Sequence, residues 1–162
     1  MKIVSIEDKD IQTCVEIYNY YILNTCNTLE EEPITCSIFK ERVDNITKKY
    51  PYIVVKNDND VVLGYAYLHQ FHERSAYRKT VELSIYVDKD HLHEHLGQTL
   101  FDEILSLAKK NGFSNIISIV TSENVPSVKF HEKNSFILEG HLKHVAYKMK
   151  KDLDVYYFRR EI

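Results

Sequence analysis

Apolar positions in this chain alternate with polar ones over some stretches and recur every three to four residues over others, and the switches between the two periods mark out its elements. A short run from Lys2 to Ile6 reads as a strand. Ile11, Val15, Tyr18 and Ile22 then recur on one face of a helix that starts near Asp8. A second helix is expected from about Thr35 to Lys48, stopped by Tyr50-Pro51 because a residue before proline is pushed out of the α region. Two strand patterns, Tyr52 to Lys56 and Val61 to Phe71, flank Asn57-Asp58-Asn59-Asp60, whose residue types favour a turn and so predict a hairpin. A further strand runs from Tyr77 to Asp88. After the polar turn Asp88-Lys89-Asp90 and the segment His91 to His95, the spacing of Leu96, Leu100, Ile104 and Leu107 predicts a helix that ends at Asn111-Gly112. Ile116 to Val120 is a short buried strand, a helix follows from about Val125 to Lys133, and strands at Phe136 to Tyr147 and Asp154 to Arg159 complete the chain.

The order β-α-α-β-β-β-α-β-α-β-β predicts an α/β fold with a mixed sheet of about seven strands and helices on both faces. Neighbours joined through a helix should be parallel, and hairpin neighbours antiparallel. No repeat, low-complexity tract or linker interrupts the order, so residues 1–162 are expected to form a single domain. A 44% hydrophobic content with three prolines and four glycines is enough for a core. The net charge of −3, with Lys and Arg scattered along the chain, excludes the basic footprint of a nucleic-acid binder. No apolar run approaches the roughly 20 residues that a spanning helix needs, and the N-terminus lacks a signal-peptide core, so a cytoplasmic protein is expected. Cys14, Cys26 and Cys36 are odd in number and lack C-x-x-C spacing, which argues for reduced thiols over a disulfide scaffold or zinc knuckle.

The candidate chemistry concentrates between Phe71 and Leu100, a strand, a loop and a helix start. Free N–H groups at that start aim back at the strand end, where an anion could sit. Within the strand, Val81, Leu83, Ile85 and Val87 occupy one face, while Glu82, Ser84 and Tyr86 share the other. Glu82 is then either an acid lining a cleft or a solvated group on an open sheet face. His91 and His95 would share a helix face if the helix began early, which admits a metal-binding reading, although no second ligand pair accompanies them.

Several longer words resemble one family, the GNAT superfamily of acyl-CoA N-acyltransferases, and within it the phosphinothricin N-acetyltransferase-like branch. They are EIYNYYILNTCNTLEEEP at 16–33, GYAYLHQF at 64–71, RSAYRKTVELSIYV at 74–87, ENVPSVKFHEKNSF at 123–136 and LDV at 153–155. Together they cover nearly the whole chain in the family's order. The resemblance implies the GNAT fold, a homodimer, and acetyl transfer from acetyl-CoA to a small amino-acid-like amine such as phosphinothricin or methionine sulfone, without a covalent acyl-enzyme and without a metal. It assigns Glu82 as general base and His131 as the group that protonates the departing sulfur. Ile85, Tyr86, Val87, His93, His95, Leu96, Gly97, Gln98 and Thr99 fall at cofactor positions, as do Asn124 and Ser127, which capping alone would also explain. Arg74, Tyr77 and Leu29 fall on the acceptor side, and an Arg there suits a carboxylate or phosphinate. For His131 the alternative is a helix-surface residue pairing with Glu132 or Glu123.

The cofactor loop departs from the family's word Q/R-x-x-G-x-G/A. Leu92 stands where an Arg belongs, His95 replaces the first motif glycine, and Gly97 alone remains. Side chains at His93 and His95 would crowd the backbone that cradles a pyrophosphate, although protonated histidines could restore some charge. Asn134-Ser135 replaces Leu-Gly after the last helix, and Asn134 suits the left-handed turn such an end needs. Two rivals to the enzyme follow from these departures: a catalytically silent binding module of the same fold, and a small metal-binding protein using the His91 to His95 tract.

Overall fold

A computed structural model describes residues 1–162. The strands are β1 (Lys2–Ser5), β2 (Tyr52–Lys56), β3 (Val62–Gln70), β4 (Thr80–Val87), β5 (Asn115–Thr121), β6 (Ile137–Lys148) and β7 (Lys151–Glu161). The helices are α1 (Ile11–Asn24), α2 (Cys36–Thr47), α3 (Leu96–Lys110) and α4 (Val125–Lys133). The strands form one mixed sheet in the order β1-β2-β3-β4-β5-β7-β6. Local chemistry explains many of the boundaries. Thr35 caps α2 by accepting from the Ile38 N–H, and Asn57 Oδ1 accepts from the N–H groups of Asn59 and Val61 to close the β2–β3 turn.

The structure corrects several expectations. β1 and β2 are joined through helices yet pair antiparallel. Two helices in series reverse the chain once more than a single crossover helix does, so the rule for parallel neighbours does not apply. The single crossover through α3 does give a parallel pair, β4 with β5. α4 leads from β5 to β6, but β7 lies between them and pairs antiparallel with both. Tyr77 lies outside β4, in a 3-10 turn at Ser75–Tyr77, and a similar turn at Asp8–Asp10 precedes α1. β7 begins at Lys151, because Met149 and Lys150 at φ 52° and 62° make a tight two-residue turn. After α4 it is Ser135, at φ 61°, that takes the left-handed conformation, while Asn134 stays at φ −91°.

Contacts cluster into two units, each built from three separated segments, so no single point on the chain divides it into consecutive domains. One unit comprises Met1–Asn19, Ile34–His69 and Leu83–Gly112; the other comprises Tyr20–Pro33, Gln70–Glu82 and Phe113–Ile162. In the first, β2 is buried along its whole length. The consecutive residues Gly64 and Tyr65 of β3 face opposite sides of the sheet. A Cβ at Gly64 would lie 3.4 Å from Leu100 of α3, whereas Tyr65 packs edge-on against Phe39 of α2 with ring centroids 5.9 Å apart. α3 and α2 therefore cover opposite faces. An ion pair is sealed in this unit, Lys56 Nζ to Asp10 Oδ1 at 2.7 Å. In the second unit β5 is held by β7 along its whole length, and α4 packs on β7 through His131 and Phe158.

Candidate active site

Glu82 is half-buried, between the buried Val81 and Leu83, as the alternation along β4 requires. It is the last β4 residue in the ladder to β5, which pairs Thr80 with Asn115, Val81 with Ile116 and Glu82 with Ile117. β5 continues to Thr121, still bonded to β7 on its other edge. The carboxylate thus stands where the β4–β5 ladder ends.

His131 sits at the same level of the sheet but on its other face. Glu82 and Ile117 are register partners and share one side; Ser118, next along β5, faces the opposite side with its partner Phe158, on which the His131 ring stacks at 5.3 Å and 17°. Phe136 closes on the imidazole edge-on at 4.8 Å. His131 is 6% exposed, so it is no surface histidine; Glu123 pairs instead with Lys151 at 2.6 Å. Its Nδ1 lies 2.7 Å from the Ser127 carbonyl. A carbonyl only accepts, so Nδ1 carries the proton and Nε2 presents a lone pair in the neutral ring. Burial pushes the imidazole pKa down, only partly offset by that backbone hydrogen bond, which favours the neutral form. The expected proton donor is therefore built as an acceptor that must be charged before it can donate.

Asn124 caps α4 by accepting from the Ser127 N–H at 3.3 Å, and Ser127 Oγ lies 3.3 Å from His131 Nδ1. Capping and site geometry are here one arrangement. On the acceptor side, Arg74 is exposed at the start of the Ser75–Tyr77 turn and pairs with no carboxylate of the chain. Tyr77 packs edge-on to Phe71 at 5.8 Å and stays 40% exposed. Leu29, also exposed, projects from the loop between α1 and α2.

The other cofactor candidates, from Ile85 to Thr99, lie in the first unit. Ile85, Tyr86 and Val87 are half-buried, and the Tyr86 ring is engaged edge-on with Tyr18 at 5.1 Å, which leaves main-chain groups as the natural contribution of this strand end. Asp88 accepts from the Asp90 N–H and begins the loop. His91 Nδ1 is 3.1 Å from Glu94 Oε1, and the helix starts only at Leu96, so His91 and His95 do not share a helix face. No group of three or more His, Cys, Asp or Glu side chains is arranged to hold a metal ion.

Two features of this loop bear on whether a pyrophosphate fits. His93 and His95 adopt φ 70° and 60°, the left-handed conformation that glycine takes without cost. The backbone has kept a glycine-like shape despite the substitutions, so the path of its amides survives. Gly97, the second residue of α3, has a helical conformation, and a Cβ there would meet no atom within 4 Å. Neither backbone nor packing calls for glycine at this point, and a helix start offers N–H groups to an anion. The residues present fit a phosphate group.

Sequence reasoning passed over Lys148. It is buried at the end of a strand that is otherwise largely exposed, and nothing local distinguishes it from a solvated lysine.

Comparison with known proteins agrees with this geometry. The model of a GNAT acetyltransferase domain matches residues 3–156. The chain is 30% identical over 152 residues to phosphinothricin N-acetyltransferase of Streptomyces viridochromogenes, covering 94% of this chain and 82% of that one. It is 27% identical over 147 residues to the L-methionine sulfoximine/L-methionine sulfone acetyltransferase of Pseudomonas aeruginosa, covering 90% and 86%. A phosphinothricin acetyltransferase from Sinorhizobium meliloti, solved in complex with acetyl-CoA, superposes with a TM-score of 0.96 at 30% identity, covering 99% of this chain and 88% of that one. The strand and loop framework, the open helix start and these matches together place the chain in the GNAT family of acetyl-CoA-dependent N-acetyltransferases, to which it belongs.

Proposed function

We propose that the acceptor is the primary amine of a small amino-acid-like molecule bearing a tetrahedral acid or sulfone group, of the phosphinothricin or methionine sulfone type. The observation that carries this reading is the half-buried Glu82 carboxylate at the end of the β4–β5 ladder, in the same unit as an unpaired Arg74 guanidinium suited to an acidic oxygen pair. The relatives' names supply the acceptor class.

In this mechanism Glu82 takes a proton from the substrate ammonium, directly or through one water, and frees the lone pair that attacks the thioester carbonyl. Attack forms the C–N bond, the nitrogen sheds its second proton to water, and as the C–S bond breaks His131, neutral at rest, takes a proton from water at Nε2 and gives it to the departing sulfur, while Nδ1–H stays on the Ser127 carbonyl. Because the two side chains lie on opposite faces, they serve opposite ends of the reaction rather than one shared proton. N–H groups at the start of α3, from Leu96, bind the pyrophosphate, while the Thr99 N–H is already given to the His95 carbonyl at 3.0 Å. Asn124 and Ser127 hold the pantetheine side. Leu29 and Tyr77 shape the acceptor pocket.

We also place the protein in the cytoplasm, as a homodimer. Its three free cysteines and the lack of any helix long and apolar enough to cross a membrane are consistent with the first. For the second, the edge strand β6 exposes Ile137, Leu138, Leu142, Val145 and Tyr147, a run of apolar side chains suited to a second copy. The deciding experiment is acetylation of a panel of amines, with methionine sulfone and phosphinothricin against plain amino acids and polyamines. Transfer restricted to the first two supports the reading. Transfer to none, with no acetyl-CoA bound, would favour the silent binding module.

A further inference from the structure

Lys148 ends β6, and the residue is 3% exposed. It forms no ion pair. Its hydrogen-bond partner is the Thr28 carbonyl at 2.8 Å, while Glu30 and Glu31 act on it only from a distance and burial pulls its pKa down. A lysine placed so deep without a carboxylate in contact is costly, and a chain that needed only a filler could use methionine of similar volume. The contact it makes is with the loop between α1 and α2.

Two more contacts hold the same loop. Thr121 Oγ1, at the end of β5, donates to the Cys26 carbonyl at 2.8 Å in a buried bond, and Cys26 Sγ lies 3.8 Å from Met149 Sδ in the β6–β7 turn. The loop backbone is thereby fixed at Cys26 and at Thr28, and the next side chain, Leu29, is turned outward at 42% exposure. The left-handed residues Met149 and Lys150 make the turn that puts Lys148 and Met149 against the loop. β5, the β6–β7 turn and the loop are thus one clamped assembly within the second unit.

We infer that Lys148 is a positioning residue for the acceptor: by holding the Thr28 carbonyl it sets the loop from Thr25 to Pro33 so that Leu29 is presented at a fixed place to the incoming amine. This rests on the reading that Leu29 lines the acceptor pocket. The ammonium's hydrogen bond goes to the loop backbone, so its loss should be felt in acceptor affinity alone.

The test is steady-state kinetics with acetyl-CoA and methionine sulfone for the wild type, Lys148→Met, Lys148→Arg and Thr121→Val, together with hydrogen exchange on the same proteins. The expected result is a rise of about tenfold in the amine KM for Lys148→Met, with kcat within about twofold and acetyl-CoA KM unchanged, the size of one lost hydrogen bond to a charged group. Lys148→Arg should recover part of it, and exchange should quicken only at amides 27–31. An unchanged amine KM, or an equal rise in the KM of acetyl-CoA, would overturn the inference. If Lys148→Met does not fold, Thr121→Val decides, with a raised amine KM in support and an unchanged one against. Should the wild type acetylate no amine, the acceptor reading itself has failed; unchanged protection at 27–31 in Lys148→Met would then separately dispose of the clamp.

Discussion

Replacing Gly97 by Ala should make the protein more stable and a poorer binder of acetyl-CoA. In a helix interior alanine is favoured over glycine by about 1 kcal/mol, and less in a first turn, so about 0.5–1 kcal/mol is expected for the second residue of α3. Nothing opposes the gain, because the new Cβ meets no atom within 4 Å. For a chain of this length that corresponds to a rise of about 1–4 °C in Tm. If the open space receives a phosphate, the methyl pushes it off the helix N–H groups, and losing one charge-assisted hydrogen bond of about 1.5–3 kcal/mol weakens binding by about tenfold or more. Thermal unfolding without ligand and calorimetric titration with acetyl-CoA read the two effects separately. Gly64→Ala is the contrasting control: its Cβ would lie 2.8 Å from the Tyr86 carbonyl oxygen and 3.2 Å from the Val87 Cα, an overpacking that costs about 1–3 kcal/mol. A lowered Tm for Gly97→Ala would mean that the fold itself needs the glycine. An unchanged affinity would mean that the space over the helix start is not the phosphate site.

Glu82→Gln should lower kcat/KM for amine acetylation by about 10²–10⁴-fold while the acetyl-CoA affinity holds, and near-full activity at neutral pH would make the carboxylate structural. His131→Phe should keep the stacking on Phe158 but remove a titration. The folded-state pKa of this histidine lies below its ordinary value of 6.5, so the unfolded chain binds more protons, and the wild type loses stability as pH falls below 6.5. Denaturant midpoints between pH 5 and 7.5 should show a shallower slope for the variant; equal slopes would refute the neutral buried ring. His95→Gly relieves a left-handed residue at φ 60°, a gain of about 1 kcal/mol that glycine's greater unfolded-state freedom largely cancels. Stability should therefore change little while acetyl-CoA binds more tightly by calorimetry, and weaker binding would show that the imidazole is itself a phosphate ligand.

Much of this architecture was legible in the residues, because it rests on short-range physics. The alternation Val81, Leu83 against Glu82, Ser84 located β4 and its two faces, and the spacing of Leu96, Leu100 and Ile104 located α3. Asn57 and Asp60 marked the hairpin turn, since their side chains and left-handed tolerance act within a few residues. The family words were equally local, which is why Glu82 and His131 could be named as candidates before any fold was in view. The insertion of β7 between β5 and β6 was not legible, nor was the antiparallel pairing of β1 with β2, because strand order is decided by burial between segments far apart in the chain. The same limit governs the site. That His131 is buried and held neutral depends on Phe158 and Phe136 closing over it, and that His93 and His95 hold a glycine-like backbone depends on the loop they close. Lys148 is the clearest case: its sequence neighbours mark an exposed strand, and only the arrival of Thr28, 120 positions away, turns a solvated lysine into a buried clamp. Sequence by itself determined the elements and the residue types offered for chemistry; tertiary structure decided their partners, protonation and exposure, since those properties belong to surroundings that no short window contains.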